Sequence, residues 1–140
     1  MRTTIALLVG TALLLFAATT ASASTPKTKI CGQVKHGPYA RYTSLYTHVK
    51  LTGTTWTVFS TGVSCSSAMG AAPKILKWWA HAKIDTSAQV GVFSCTKESD
   101  GHGSAGSAGC KAPHGLDNIE LIMTGKLTIA QLKKKFFIGP

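Results

Sequence analysis

The sequence predicts a small α+β domain, in which a small antiparallel sheet of three to five short strands carries one main helix and two disulfides. Three observations predict it. β-branched and aromatic segments lie between glycines, one long segment places its apolar residues at helical spacing, and four cysteines follow a segment typical of exported proteins. Since no internal repeat is visible, we expect one disulfide-stabilised domain over residues 30–140.

Residues 1–23 have the features of a secretory signal peptide. Arg2 precedes an apolar run over residues 5–18, and Ala21-Ser22-Ala23 stands where a cleavage site is expected. This run of about 14 residues is shorter than the roughly 20 that a transmembrane helix needs. We therefore expect a secreted chain without a transmembrane anchor. The polar residues 24–29 predict a flexible leader ahead of the domain.

The first half of the domain predicts strands. Ile30–Val34 predicts a short strand that ends at a turn over residues 36–38. Arg41–Leu51 is ambiguous, because its apolar residues fit helical spacing while its threonines and valine favour a strand. Thr54–Thr61 is bounded by glycines and predicts a more secure strand, with Trp56 on one of its faces.

One main helix is predicted from Cys65 to about Lys83, with Ser64 as its N-cap. Apolar residues fall on one side of this segment, and they include Cys65, so its disulfide is expected to reach the core. Pro73 lies deep inside the segment. Because an interior proline costs about 3 kcal/mol, the sequence predicts a break or kink near residues 70–73, or a second helical segment that begins at Pro73.

The second half of the domain predicts two further strands, a loop and a terminal helix. Ala88–Cys95 and Asn118–Thr124 have the composition of strands. Thr96–Gly109 is rich in glycine, serine and alanine, and predicts a loop that cannot hold a shape alone. Thr128 begins a capping-box pattern, so Thr128–Phe137 predicts a closing helix.

Four cysteines allow three disulfide connectivities, and spacing alone does not choose between them. We favour Cys31–Cys65, which would join the first strand to the helix, and Cys95–Cys110, which would close the small-residue loop. A zinc site that uses Cys95 and Cys110 with His102 and His114, and with Asp100 and Asp117 close by, is the alternative. Structural zinc prefers tightly spaced cysteine pairs, which are missing from this sequence, so no metal or other cofactor is expected.

The residues around three of the cysteines resemble those of small secreted actinobacterial proteins of unknown function that contain disulfides. The run Gly62-Val63-Ser64-Cys65-Ser66-Ser67-Ala68 is similar to their G-V-S-C-x-x-A helix start. Phe93-Ser94-Cys95 with the later Cys110 is similar to their Cys…Cys hairpin. The resemblance covers roughly Thr54–Leu121. It implies the same fold and cysteine pairing, and it implies no catalytic residue.

The part of the chain after the predicted signal is strongly basic. Thirteen lysines and Arg41 face five acidic side chains, which leaves a net charge of +9 with neutral histidines. Such a charge attracts anionic polymers or acidic proteins, although excess lysine also simply keeps a secreted protein in solution. Bidentate recognition of phosphate or guanine favours arginine, so a single arginine argues against specific nucleic-acid binding.

Two basic segments with aromatic neighbours supply the predicted binding residues. Lys74, Lys77 and His81 share the outer side of the main helix. Trp78 borders them, either as an exposed indole for stacking or as a half-buried structural residue. The second segment is Lys133, Lys134 and Lys135. The sequence thus predicts a secreted, basic, non-enzymatic protein that binds an anionic partner in the cell envelope or outside the cell.

Catalytic and inhibitory functions are the alternatives. His36 and His48 flank Arg41, a set that predicts a hydrolase or nuclease using a histidine pair for general acid–base catalysis. Carboxylate pairs for glycoside hydrolysis would be Glu98 with Asp100, or Asp117 with Glu120. A third alternative is an inhibitor or toxin that inserts the loop between Cys95 and Cys110 into a partner.

Overall fold

The computed structural model describes residues 26–43, 50–99 and 105–136, and for Lys135 and Phe136 it describes the backbone alone. The predicted signal peptide lies outside the described residues. The elements are β1 (Thr28–Val34), β2 (Ala40–Thr43), β3 (Lys50–Gly53), β4 (Trp56–Thr61), α1 (Cys65–His81), β5 (Ser87–Val90), β6 (Phe93–Glu98), β7 (Ser107–Lys111), β8 (Asn118–Met123) and α2 (Ile129–Phe136).

Six of the strands form one antiparallel sheet in the order β1-β4-β8-β7-β6-β5, and β2 pairs with β3 in a separate hairpin. The helix α1 packs on one face of the large sheet, where it contacts β1, β4 and β5. The predicted α+β class is therefore confirmed. The large sheet has more strands than the three to five expected, and two segments explain the difference.

The first segment is Ala88–Cys95, which the sequence predicts as one strand. The structure divides it into the ends of β5 and β6, with a two-residue turn at Gly91 and Val92, so that prediction was wrong. Gly91 has φ +63°, a backbone angle that such hairpin turns require and that glycine adopts without strain. A glycine between two valines therefore ends one strand and starts the next.

The second segment is Thr96–Gly109, predicted as a loop. Its first residues continue β6 as far as Glu98, and its last residues belong to β7, so the prediction was wrong at both ends. Ala108 of β7 is fully buried in the core beneath α1, and Trp79 Nε1 donates a hydrogen bond to the Ser107 carbonyl at 2.9 Å. Gly109 lies on the opposite face, where a Cβ would come within 2.6 Å of the Glu98 carboxylate.

The main helix runs unbroken from Cys65 to His81 and contains Pro73 in its interior, so the predicted break does not occur. The N-cap prediction is confirmed, since the Ser67 amide donates to Ser64 Oγ at 3.1 Å. The buried side of the helix comprises Ala68, Ala72, Ile75, Leu76 and Trp79. Burying one large aliphatic side chain stabilises by about 1.5–3 kcal/mol, so the residues on both sides of Pro73 together offset its cost.

The core lies between α1 and the large sheet. At its centre the rings of Trp56 and Trp79 meet edge to face, with centroids 4.7 Å apart and planes at 70°. The Trp56 Nε1–H donates to the Pro38 carbonyl at 2.9 Å, so this buried indole is hydrogen-bonded to the chain that follows β1. The tryptophan pair thus ties the helix, the sheet and the β1–β2 connection together.

Both favoured disulfides are present, Cys31–Cys65 and Cys95–Cys110. The register of β1 against β4 shifts between Ile30 and Gly32, and this irregularity leaves Cys31 unpaired in the ladder and joined to the start of α1. Cys95 and Cys110 are directly opposite each other on β6 and β7. Two disulfides indicate an extracellular or otherwise oxidising compartment.

In the part of the chain that the structure describes, no helix combines the length and the apolar character that crossing a membrane requires.

The short helix α2 covers the opposite face of the sheet, where it contacts β1. Its capping box is confirmed, since the Gln131 amide donates to Thr128 Oγ1 at 3.2 Å and the Thr128 amide donates to Gln131 Oε1 at 2.8 Å. Leu132 is 1% exposed and anchors the helix. Gln33 Nε2 donates to the Leu127 carbonyl at 2.8 Å, which fixes the approach to α2 on the first strand.

Candidate functional site

A groove lies where the chain leaves β1 and passes beside the second half of α1. We call it the α1 groove, and its volume is about 430 Å³. Its apolar floor and walls comprise Val34, Gly37, Pro38, Pro73, Leu76 and Ala80. Its polar lining residues are His36 from the loop and Lys77 and His81 from the helix. Apolar walls with a few convergent polar groups are the usual composition of a binding site.

The loop side of the α1 groove is held in a fixed conformation. His36 has φ 58°, in the left-handed region that is uncommon for residues other than glycine. The Gly37 amide donates to the Thr54 carbonyl at 2.8 Å. A Cβ on Gly37 would come within 2.6 Å of Trp56 Cδ1, so only glycine permits this contact with the indole. The tryptophan therefore positions the backbone that presents the exposed His36 side chain.

The helix side of the α1 groove follows from helical periodicity. Successive groove residues of α1 are four, three and one positions apart, which places them along one edge of the helix: Pro73, Lys77, Ala80 and His81. Leu76 forms the boundary between this edge and the core. The Lys77 and His81 side chains are exposed, and none of the described residues that line the groove is acidic. An anion in the groove would meet one ammonium group and two imidazoles.

The C-terminal carbonyl groups of α1 lie close to the groove and carry the negative end of the helix dipole. Lys97 of β6 compensates for this, because its Nζ donates to the Trp79 carbonyl at 2.9 Å and to the Ala82 carbonyl at 2.8 Å. Desolvation by burial lowers the pKa of Lys97 from its ordinary value. Because the Lys97 ammonium group binds these carbonyls, the helix end repels an anion beside His81 less strongly than free carbonyls would.

The remaining predicted binding residues are divided between two faces of the protein. Lys74 is exposed on α1, and Trp78 is half-buried and packs against the core instead of lining the groove. Lys133 and Lys134 are exposed on α2, across the sheet. Lys133 borders a second shallow cavity of about 410 Å³ together with Lys29. The side chain of Lys135 lies outside what the structure describes.

The predicted catalytic set is not brought together in the described residues. His48 lies outside them, so the pairing of His36 with His48 stays a prediction. Arg41 is exposed on β2, where it is paired with Thr52, and it does not line the α1 groove. His36 shares the groove with His81 instead. Residues 36 and 81 are far apart in the sequence, so no local spacing relates them. They come close because β1 pairs with β4 and also packs against α1.

The carboxylates lie elsewhere. Glu98 and Glu120 interact across Gly109 of β7, on the sheet face opposite α1. Desolvation by the surrounding protein, and then the charge of Glu98, raise the pKa of Glu120, although the Glu120 side chain is itself exposed to solvent. The carboxylate pairs predicted from the sequence were Glu98 with Asp100, and Asp117 with Glu120. Asp100 lies outside the described residues. The register of β6, β7 and β8 is what makes Glu98 and Glu120 neighbours.

Within the described ranges, no three His, Cys, Asp or Glu side chains are grouped closely enough to hold a metal ion. Both disulfides also remove the thiolates that the zinc alternative would use.

Comparisons with protein-family models, with curated proteins and with solved structures found no match to this chain. The resemblance to secreted actinobacterial proteins therefore stays a prediction, and the residues themselves carry the functional argument.

Proposed function

We propose that the protein is secreted and binds an anionic polymer of the cell envelope or its surroundings, without catalysing a reaction, through the cationic α1 groove. The observation that carries this proposal is the convergence of His36, Lys77 and His81 on one groove, with no acidic side chain among its described lining residues. Lys74, one turn before Lys77 on the same helix, extends the positive face.

Export is supported by two features that agree. The first 23 residues have the pattern of a secretory signal, and the four cysteines form two disulfides. An exported basic protein meets anionic polymers at once, because its electric field raises their local concentration.

Lysine and histidine suit a polymer whose anionic groups are spaced irregularly. The lysine ammonium is a compact charge on a flexible stem and does not impose the fixed two-point geometry of arginine. The apolar walls formed by Pro38 and Pro73 add nonpolar contact area beside the charged groups. The groove thus combines charge attraction with a defined location, which distinguishes it from a uniformly basic surface.

The proposal is tested by titrating the oxidised protein with fluorescently labelled polyphosphate at several salt concentrations. Counterion release predicts that log K falls steeply with log salt. The double variant K74Q/K77Q removes two cations from α1. The slope of log K against log salt is expected to be smaller in magnitude by about 1.5, because each phosphate contact contributes roughly 0.7–0.9 to it.

The matched control is K133Q/K134Q, which removes two exposed lysines from α2 and so has the same net charge. If the α1 groove is the site, this control binds nearly as the parent does. Equal weakening in the two variants would show diffuse attraction without a site, and no binding at low salt would contradict the proposal entirely.

A further inference from the structure

The two most exposed large aliphatic side chains in the described residues lie at neighbouring hairpin tips. Val92 is 62% exposed in the turn between β5 and β6, and Leu116 is 79% exposed in the connection between β7 and β8. Ser94 pairs with Lys111, so the turn before β6 and the connection after β7 lie at the same end of the sheet. We call this end the hairpin tips.

The hairpin tips are joined into one rigid unit. The disulfide Cys95–Cys110 connects β6 and β7 one residue below the Ser94–Lys111 pair. The Ala112 amide donates to the Asp117 carbonyl at 2.9 Å and closes the base of the second hairpin. Val92 and Leu116 are therefore presented together, and ordering them at a surface costs little conformational entropy.

The charges around the hairpin tips are positive. Lys111 and His114 are exposed on the hairpin that carries Leu116. Because Thr28 pairs with Thr61, and Thr61 with Asn118, the start of β1 lies at this end too and adds Lys27 and Lys29. The one acidic residue described there, Asp117, is half-buried, and its carboxylate lies against Gly62.

We propose that the hairpin tips insert Val92 and Leu116 into the surface of an anionic lipid membrane. Binding at such a surface grows with the apolar area inserted and with the attraction between lysines and anionic headgroups, and this end of the molecule supplies both. A protein partner is the less suitable occupant, because protein interfaces are enriched in aromatic anchors. The aromatic residue nearest to Val92, Phe93, is buried in the core.

This surface is distinct from the α1 groove, which lies at the other end of α1. The helix begins beside β1 at the Cys31–Cys65 disulfide, near the hairpin tips, and the groove residues Lys77 and His81 belong to its last two turns. Membrane attachment and polymer binding can therefore be tested by separate substitutions.

The test is co-sedimentation of the oxidised protein with vesicles of phosphatidylglycerol and phosphatidylcholine, and with vesicles of phosphatidylcholine alone. The parent protein is expected to bind the anionic vesicles. The variant V92S/L116S is expected to lose at least tenfold in affinity with an unchanged Tm, since both side chains are exposed. The control is I84S, which replaces an exposed isoleucine at the opposite end and is expected to bind as the parent does.

Insertion is measured separately with the variant L116W. After subtraction of the parent spectrum, to which three native tryptophans contribute, its indole emission is expected to shift to shorter wavelength when anionic vesicles are added and to stay constant with phosphatidylcholine alone. Equal binding by V92S/L116S and its parent, or an unchanged L116W spectrum, would overturn the proposal. Conversion of a dimer to a monomer by V92S/L116S would also overturn it, because the tips would then be a protein interface.

Discussion

Lys97 reaches from the sheet to the end of the main helix, where its Nζ lies 4.0 Å from the centroid of the Trp79 ring and donates to the Trp79 carbonyl. One ammonium group thus bonds the last turn of α1 and contacts the indole at the centre of the core. A second bond to the Ala82 carbonyl completes the C-terminus of the helix. Lys97 therefore holds the end of α1 at which the groove is built.

Replacing Lys97 with methionine keeps the apolar stem and removes these contacts. We expect K97M to lower the free energy of unfolding by about 1–2 kcal/mol, because helix carbonyls lose a charged donor and the ring loses its cation. Urea unfolding measures the change. The control K83M removes an exposed lysine just after the helix and is expected to change the midpoint little. Equal effects of the two variants would contradict this role for Lys97.

Two glycines in or near the α1 groove have opposite requirements. Gly70 lies within α1, and a Cβ there would meet no atom within 4 Å, so G70A is expected to stabilise the protein by about 0.5–1 kcal/mol. Gly37 touches the Trp56 indole, so G37A is expected to destabilise the protein and weaken polyphosphate binding. Thermal unfolding compares both with the parent. A stable G37A variant that binds normally would show that the loop conformation is not required.

The pKa of Glu120 predicts a specific dependence of stability on pH. Because desolvation and Glu98 raise this pKa above 4.5 in the folded protein, the folded state binds the proton more tightly than the unfolded chain does. The resulting stabilisation is full below pH 4.5 and is lost as the pH rises through the folded-state pKa.

We therefore expect E120Q to raise Tm near neutral pH and to leave it unchanged well below pH 4.5, as measured by calorimetry across the pH range. The control E98Q removes only the second cause of the shift, so its effect is expected to have the same sign and a smaller size. A Tm difference that does not vary with pH would contradict the assignment.

The two disulfides are expected to contribute unequally to stability. Cys95 and Cys110 are 15 residues apart and Cys31 and Cys65 are 34 apart, so chain entropy predicts about 3 kcal/mol for the first bond and slightly less than 4 kcal/mol for the second. Denaturant unfolding of C95A/C110A and C31A/C65A measures both. A much larger loss in C95A/C110A would instead show that packing of these fully buried sulfurs dominates.

Local patterns predict much of this fold because several of its contacts are local. The Ser64 cap and the Thr128 capping box depend on residues three positions apart, and both are visible in the sequence. The failures occur where a local pattern has two structural solutions. A valine–glycine–valine run can continue a strand or form a turn, and here it turns at Gly91. The small residues of β7 form a strand because they pair with β6, to which the Cys95–Cys110 disulfide also joins them.

The candidate site is less predictable than the fold because it depends on distant parts of the chain. The cationic side of α1 with Lys77 and His81 follows from helical spacing, and the structure confirms that these side chains are exposed. The approach of His36 does not follow from the sequence, because it requires the contact between Gly37 and Trp56. The predicted break at Pro73 does not occur for a related reason, since burial along the rest of α1 outweighs the local cost of proline.

The central claim is that an anionic polymer binds in the α1 groove, and amide chemical-shift mapping during a polyphosphate titration tests it most directly. We expect the largest shifts in residues 34–38 and 73–81, which enclose the groove. Shifts of similar size over the whole surface, or shifts concentrated around Lys133 and Lys134 on α2, would contradict the claim.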